Sequence, residues 1–300
     1  MKLEDLKGRG AVVTGGGAGM GRSMAHTLAD AGMRVVVADI NAAAAQSVAD
    51  EIVAAGGQAI AVPTDVSSLE AVQHLADTAY DTYGDIAVLI NNAGVTWRPY
   101  RAHWDADISD YRWLMGINFF GVLHGHLAFV PRMRQTATPK HIVNTSSLAT
   151  QIIMPGHTAY TAAKFAVDGF TDVVREEFRV AGDPISITLF FPGVVKTNIG
   201  ATSEKMRPEA ERAETRKVIP WTHYAAPDYQ AIGGETKQTR DAAKISDPME
   251  AMEPDAVGPM VLDAILENRA YLSTHPVPRE VRRGGALNDA FDARTEIKEA

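Results

Sequence analysis

The sequence contains no cysteine, which excludes disulfides, thiolate nucleophiles and cysteine-ligated metal sites. It is also short of positive charge, because 29 Lys and Arg against 37 Asp and Glu give a formal net charge of −8. Such a chain has no electrostatic attraction for nucleic acid or an anionic membrane surface. We find no apolar run that we expect to cross a bilayer, and the polar start, MKLEDLKGRG, is not typical of a signal peptide. We therefore expect a cytoplasmic protein with neither nucleic-acid nor membrane partners.

The 300 residues, 46% hydrophobic and 22% charged, have the composition of a globular domain. Short apolar runs alternate with helical segments six times along the chain. This alternation predicts an α/β fold in which helices cover both faces of one doubly wound parallel sheet, with residues 1–300 as a single domain. The polar region 198–250, interrupted by prolines and glycines, is predicted to be a substrate lid inserted before the last helix and strand.

A glycine-rich turn separates the first predicted strand, 11–13, from a predicted helix at 23–31. Strand, glycine turn and helix together present backbone N–H groups and a positive helix end to a phosphate. The spacing T-G-x-x-x-G-x-G differs from the G-x-G-x-x-G pattern of dinucleotide sites, and a flexible turn is the alternative. We predict a pyrophosphate site at Gly15, Gly19, Met20 and Gly21.

Asp39 and Ile40 end the second predicted strand, 34–40, twenty positions after the middle glycine of the turn. A carboxylate at this position can bind both ribose hydroxyls of an adenosine and would repel a 2′-phosphate. Asp39 therefore favours NAD over NADP. The alternative is that Asp39 caps the helix beginning near Ala42.

Two further strand ends carry polar residues. Asp65, with Val66 beside it, follows strand 59–62 and is positioned to bind an adenine amino group, to cap the helix near Ser68, or both. The strand at 86–90 ends in two asparagines, at the edge where open α/β sheets bind ligands. Their amides can brace the backbone and leave a gap for a cofactor. The predicted contacts there are Asn92, Ala93 and Gly94.

Asn118 lies among apolar residues in what we predict to be one long helix, 110–133. A buried amide needs hydrogen-bond partners. Asn118 is either a satisfied core residue or marks a helix distortion that holds a water near the active site. His124 and His126 on the same helix lack a third ligand, so we predict no metal site.

The stretch 146–164 carries a hydroxyl, a phenol and an ammonium: Ser147, Tyr160 and Lys164. A helix from Thr158 would place Tyr160 and Lys164 on one face, one turn apart. A free phenol has a pKa of about 10, and a nearby cation lowers it toward neutrality. We predict a device that transfers a proton to or from an alcohol or carbonyl. A surface Tyr/Lys pair is the alternative, since the motif alone is common.

The sixth predicted strand, 185–191, ends in the turn 192–197, whose Thr197 can bind a nicotinamide carboxamide. Substrate-pocket candidates by position are a set of large side chains from four segments, for which packing within the lid or simple exposure is the alternative. These are Trp97, Met154, His157, Met206, Trp221, His223 and Tyr224.

Taken in order, these motifs resemble those of the short-chain dehydrogenase/reductase (SDR) family over nearly the whole chain. The resemblance implies a Rossmann-type fold and hydride transfer between NAD and a carbinol carbon, with Tyr160 as catalytic acid/base. It implies that Lys164 binds the nicotinamide ribose, that Ser147 is the catalytic serine and that Asn118 supports a proton-relay water. The contacts that it implies at the nicotinamide end are Pro192, Gly193, Val195 and Thr197. It also implies a homodimer or homotetramer assembled through helices 110–133 and 158–180.

A narrower likeness covers residues 252–280, which resemble the C-terminal part of bacterial Cα-dehydrogenases acting on lignin-type β-aryl ethers. It implies a bulky or aromatic secondary alcohol. Two alternatives stay open. One is an NADP-linked 3-oxoacyl reductase, against which Asp39 and the long lid argue, and the other is a non-catalytic NAD-binding sensor.

Overall fold

The fold is given by a computed structural model that describes residues 1–96, 100–152, 154–207 and 250–277. In this part of the chain seven parallel strands form one sheet in the order β3-β2-β1-β4-β5-β6-β7. The strands are β1 Gly10–Thr14, β2 Arg34–Asp39, β3 Gln58–Pro63, β4 Ile86–Asn91, β5 Lys140–Thr145, β6 Ile185–Phe191 and β7 Tyr271–Ser273. The helices are α1 Gly19–Asp30, α2 Ala42–Ala54, α3 Leu69–Tyr83, α4 Ile108–Asn118, α5 Phe120–Met133, α6 Thr158–Ala181, α7 Ile199–Met206 and α8 Val257–Leu266.

Both faces of the sheet are covered by helices, so the predicted α/β architecture is confirmed. Every residue of β1 is buried, and its side chains alternate between two cores. Val12 joins the core formed with α3, α4, α5 and α6. Ala11 and Val13 join the core formed with α1, α2 and α8. Because successive side chains of a strand point to opposite faces, continuous apolar runs are what a sheet covered on both sides requires.

The strand order reverses between β1 and β4. The chain builds outward from β1 through β2 to β3, then returns to place β4 on the other side of β1. The connections leaving the carboxyl ends of β1 and β4 therefore diverge, which opens a crevice at this point of an open α/β sheet. The glycine turn follows β1 and the two asparagines follow β4, so the fold brings both predicted motifs to the same crevice.

Two predicted helix boundaries are wrong. Helix α1 begins at Gly19, inside the glycine turn, rather than at Ser23. The predicted single helix 110–133 is instead two helices that meet at Phe119, whose backbone N–H still donates to Met115 O at 3.1 Å. The interruption directly follows Asn118.

By length and composition alone, Ile108–Met133 would be able to cross a membrane, which our sequence analysis did not anticipate. In the fold this stretch is α4 and α5, and Leu114, Phe129 and Met133 are fully buried against the sheet. A pair of core helices passes the same test of length and composition.

Candidate active site

Three glycines shape the turn after β1. Gly15 and Gly19 have φ angles of +63° and +53°, a region that other residues rarely adopt. Gly21 needs its hydrogen for a different reason, because a Cβ there would lie 2.0 Å from Gly15 O and 2.8 Å from Asn92 Nδ2. The helix can therefore approach the turn this closely only with glycine at position 21.

The amino end of α1 fits a phosphate. Its N-cap is Ala18, and no side chain among the described residues caps it, so its first N–H groups remain available to an anion. A Cβ on Gly19 would lie 3.0 Å from Thr197 Cγ2, which places the turn after β6 directly opposite. The side chain of Met20, in the first turn of α1, is partly buried and packs against the core formed with α1, α2 and α8.

Asp39 holds the glycine turn in place. Its Oδ2 accepts from Gly17 N at 3.0 Å and its Oδ1 from Asn41 N at 2.9 Å. The alternative capping role is wrong, because the N-cap of α2 is Asn41, whose side chain accepts from Ala44 N. The carboxylate thus lies beside the phosphate turn, and the side chain of Ile40 next to it is half exposed.

Asp65 and Val66 are anchored differently. Asp65 Oδ1 accepts from Ser67 N at 2.9 Å and Ser67 Oγ at 2.7 Å, whereas Ser68 is the N-cap of α3. The expectation that Asp65 caps this helix is therefore wrong. Val66 is buried, and its carbonyl oxygen accepts from His124 Nδ1 at 2.8 Å. The adenine contact predicted for Asp65 stays a prediction.

Thr14 links the ends of β1 and β4. Its Oγ1 accepts from the backbone N–H of Asn92 at 3.0 Å and of Ala93 at 3.1 Å. Asn92 Nδ2 in turn donates to Thr14 O at 3.0 Å and Gly15 O at 3.3 Å. Our sequence analysis gave Thr14 no role, although a threonine at a strand end directly before the glycines was a signal for one.

Asn118 braces the chain that follows Gly94. Its Oδ1 accepts from Val95 N at 2.8 Å and its Nδ2 donates to Val95 O at 2.9 Å. Both polar ends of this buried side chain are satisfied by one residue, as the core alternative expects. A Cβ on Gly94 would lie 2.9 Å from Asn118 Oδ1 and 3.6 Å from Lys164 Nζ, so these groups meet around one small gap.

Tyr160, Ser147 and Lys164 meet at the carboxyl end of β5. Helix α6 begins at Thr158, as predicted, so Tyr160 and Lys164 lie one turn apart. The Ser147 side chain lies next to the Tyr160 hydroxyl, and Ser147 Oγ accepts from Ala149 N at 3.1 Å. Lys164 is buried, its Nζ donates to Thr145 O at 2.8 Å, and it lies 5.9 Å from the centre of the Tyr160 ring.

The electrostatics of this group differ from our expectation. Burial raises the pKa of Tyr160 above its ordinary value, and the hydrogen bond from Ser147 opposes only part of that rise. Burial also lowers the pKa of Lys164 to about 8. The prediction that the pKa of Tyr160 is pulled toward neutrality is therefore wrong for this structure, in which burial dominates and Lys164 Nζ donates to a backbone carbonyl. Tyr160 is held as a protonated phenol near neutral pH.

The turn 192–197 borders the same crevice from the other side. Leu148 N donates to Pro192 O at 3.0 Å, which ties this turn to the one that carries Ser147. Val195 forms a parallel bridge with Met252, and a salt bridge joins Lys196 to Glu253. The two ends of the predicted lid therefore meet, while its residues 208–249 lie outside the described part of the chain.

The family model for short chain dehydrogenases matches residues 9–208. The chain belongs to the short-chain dehydrogenase family. It is an oxidoreductase, and the matched range contains every catalytic and cofactor-binding residue that we predicted.

Individual relatives agree with this family. The 1-deoxy-11-beta-hydroxypentalenate dehydrogenase of Streptomyces exfoliatus is 35% identical over 192 residues, which are 64% of this chain and 69% of the relative. A short-chain dehydrogenase/reductase from Burkholderia phymatum, solved in complex with NAD, is 33% identical with a TM-score of 0.76, covering 97% of this chain and 94% of the other. The apo form of LigO from Sphingobium sp. strain SYK-6 is 26% identical with a TM-score of 0.71, covering 98% and 93%.

Three residues on one face of helix α6 contact residues 145–147 of this short-chain dehydrogenase, which we call the serine turn. Tyr160 contacts Ser147 and Lys164 contacts Thr145 O, and one turn later Asp168 accepts a hydrogen bond from Ser146 Oγ. Burial raises the pKa of Asp168 to about 6, although its hydrogen bonds from Ser146 and Thr150 oppose that rise. Sequence reasoning missed Asp168, although its spacing of four residues from Lys164 places it on the same helix face.

The His157 ring contacts the rings of both Tyr160 and Tyr100. His157 is 5% exposed, so the alternative that it is simply exposed is wrong. Its ring centre is 4.6 Å from that of Tyr160 and 4.7 Å from that of Tyr100. Of the other pocket candidates, Met154 and Met206 are partly buried. Trp97, Trp221, His223 and Tyr224 lie outside the described residues.

Proposed function

We propose that this protein is an NAD-linked oxidoreductase that interconverts a secondary alcohol and a ketone, with a bulky or aromatic substrate. The observation that carries the proposal is the meeting of Tyr160, Ser147 and Lys164 at the crevice edge beside the glycine turn. NAD, when bound, supplies a two-electron hydride acceptor. The protein has to hold the substrate oxygen and move one proton.

Tyr160 is the proposed proton carrier. Its hydroxyl lies next to that of Ser147, so a substrate oxygen entering this position meets two hydroxyl groups that can orient it. In ketone reduction the protonated phenol donates its proton to the substrate oxygen. In alcohol oxidation the phenolate receives the hydroxyl proton, which requires Tyr160 to lose its own proton first.

Lys164 and Asn118 have supporting roles in the proposal. The buried ammonium of Lys164 is fixed by Thr145 O and is placed to bind the nicotinamide ribose and to stabilise negative charge that develops on Tyr160. Asn118 keeps the backbone at Val95 in place beside Gly94. A proton-relay water near Asn118 is a further part of this proposal.

The cofactor contacts are proposed from the crevice. Gly15, Gly19, Met20 and Gly21 would hold the pyrophosphate, and Asp39 the adenosine ribose, where its charge disfavours the 2′-phosphate of NADP. The remaining contacts follow the strand ends in order. They are Ile40, Asp65, Val66, Asn92, Ala93, Gly94, Pro192, Gly193, Val195 and Thr197.

The substrate and assembly follow from other features. The His157 ring, which is tilted against the rings of Tyr160 and Tyr100, and the long segment 198–250, which we propose as a lid within one domain, support a large substrate. Partly exposed Phe120, Leu127 and Val173 on α5 and α6 support a homodimer or homotetramer through these helices. We propose that the enzyme acts in the cytoplasm.

The test is turnover of a panel of aliphatic and benzylic secondary alcohols with NAD or NADP, followed by NADH or NADPH absorbance. Tyr160→Phe should lower kcat by about 10² to 10⁴ while calorimetry shows unchanged NADH affinity. Tyr80→Phe is the matched control, because the buried Tyr80 hydroxyl has no hydrogen-bond partner among the described residues. Equal turnover by wild type and Tyr160→Phe on every accepted alcohol would contradict the proposal, and binding without any turnover would favour the sensor alternative.

A further inference from the structure

A chain of hydrogen bonds runs from Gly193, in the turn after β6, to Glu250, the first described residue after position 207. Gly193 N donates to Thr274 Oγ1 at 2.8 Å. Thr274 Oγ1 lies 2.7 Å from His275 Nδ1, and His275 Nε2 lies 3.1 Å from Glu250 O. These contacts join Gly193, the carboxyl end of β7 and the distal end of segment 198–250.

The donor and acceptor roles of these groups define the direction of each hydrogen bond. A carbonyl oxygen only accepts, so His275 Nε2 carries a hydrogen that it donates to Glu250 O. In a neutral imidazole the other nitrogen is then an acceptor, and it receives the Thr274 hydroxyl hydrogen. The lone pairs of Thr274 Oγ1 are left to receive the Gly193 N–H. Each hydrogen bond in the chain therefore joins a donor to an acceptor.

The His275 ring also packs directly against this turn. A Cβ on Gly193 would lie 2.5 Å from His275 Nδ1 and 2.9 Å from Leu148 Cδ1. Leu148 follows Ser147 in the chain, so the turn is confined between the imidazole on one side and the serine turn on the other. The backbone of His275 is itself held, because Ser273 Oγ donates to His275 O at 2.7 Å.

We propose that His275 is a positioning residue that fixes the Gly193 turn through Thr274 and couples it to the returning end of segment 198–250. This inference rests on the proposed function, in which the turn 192–197 contacts the nicotinamide end of the dinucleotide. His275 orders the turn before binding, so its loss weakens the hold on the nicotinamide end and spares the adenosine and pyrophosphate ends.

The experiment compares NADH with ADP-ribose, which carries the adenosine and both phosphates but no nicotinamide. Calorimetry on the full chain gives the two dissociation constants for wild type, His275→Ala, His275→Asn and His275→Gln. His275→Ala should weaken NADH binding by about tenfold, which corresponds to about 1.4 kcal/mol, and leave ADP-ribose within twofold. Asn places an amide near the Nδ1 position and restores the bond to Thr274, so it should recover most of the NADH affinity. Gln reaches only the Nε2 position and should not.

His74→Ala, on the exposed side of α3, is the matched control and should change neither constant. An equal loss of affinity for both ligands in His275→Ala would reduce His275 to a general structural residue and overturn the inference. So would unchanged NADH binding in that variant. If wild type binds neither ligand, the cofactor assignment of the proposed function fails, and the inference fails with it.

Discussion

Lys164 is a buried charge whose removal should stabilise the fold while destroying activity. Its side chain is 4% exposed and its ammonium donates to the carbonyl of Thr145. Burial lowers its pKa from an ordinary 10.5 to about 8. At about 1.4 kcal/mol per pKa unit, this fall corresponds to a penalty of about 3 kcal/mol for holding the charged form in the folded state.

The perturbation is Lys164→Met, which keeps an unbranched side chain, one atom shorter, and removes the charge. The carbonyl of Thr145 then loses its partner, which offsets about 1 kcal/mol of the gain. We expect the free energy of unfolding at pH 7 to rise by about 2 kcal/mol, measured by urea denaturation, and turnover to fall below detection. The pKa of Lys164 is lower in the folded than in the unfolded protein. The wild-type penalty is therefore complete below pH 8, fades between pH 8 and 10.5, and is absent above that range.

Lys140 provides the matched comparison. It is also buried, but its ammonium forms a salt bridge with Asp85 and lies 2.9 Å from Thr138 Oγ1. Burial lowers the pKa of Lys140 as well, but Lys140→Met leaves Asp85 with Arg9 as its remaining charged partner in the described chain. The lost salt bridge offsets the gain from removing the charge, so this variant should gain less stability than Lys164→Met. A Lys164→Met protein that unfolds at lower urea concentration than wild type at pH 7, or whose advantage does not shrink toward pH 10.5, would refute the reasoning.

Four further predictions concern the crevice. Gly21→Ala should abolish NADH binding, measured by calorimetry, and lower the free energy of unfolding by about 1–3 kcal/mol through overpacking. Gly116→Ala is its control. No atom of the described residues lies within 4 Å of the added methyl group, so this variant should be more stable by up to about 1 kcal/mol. Asp39→Asn should lower the ratio of kcat/KM with NAD to kcat/KM with NADP by about tenfold. An unchanged ratio would contradict a role of Asp39 in cofactor selectivity. Asn118→Leu should destabilise the protein by about 2–4 kcal/mol in urea, because one buried N–H and one C=O lose their partners. Alcohol oxidation should accelerate from pH 7 to pH 10 while ketone reduction does not, since the pKa of Tyr160 is raised; a flat profile for oxidation would argue against Tyr160 as the base.

The sheet and the meeting of motifs at its carboxyl edge were predictable from local patterns. Strand β6 has the predicted bounds, because an apolar run between two prolines defines it. The start of α1 was not predictable in this way. Glycines are typical of turns, yet Gly19 and Gly21 lie in the first turn of helix α1.

The side-chain partners were less predictable than the positions. Both Asp39 and Asp65 were plausible helix caps, but the neighbouring Asn41 and Ser68 take those positions because they directly precede α2 and α3. The pKa of Tyr160 was predicted with the wrong sign, because spacing on a helix reveals a nearby ammonium but not the burial of both groups. Partners distant in sequence, such as Thr274 beside Gly193, leave no local pattern to find.

The bridge between Val195 and Met252 means that the chain leaves the sheet edge and comes back to it at a single place. The described residues up to Arg207 are tied to the domain, because Ser203 Oγ accepts from Thr96 N at 2.9 Å and Arg207 forms a salt bridge with Asp110. Residues 208–249 can therefore be lengthened, shortened or exchanged without altering the spacing of β6 and α8. Because the proposed lid lies between these ends, we expect an exchange of residues 208–249 to change the substrate preference while Ser147, Tyr160 and Lys164 stay in place. Grafting the corresponding segment from a relative with a known alcohol preference is thus the most direct route to re-targeting this enzyme.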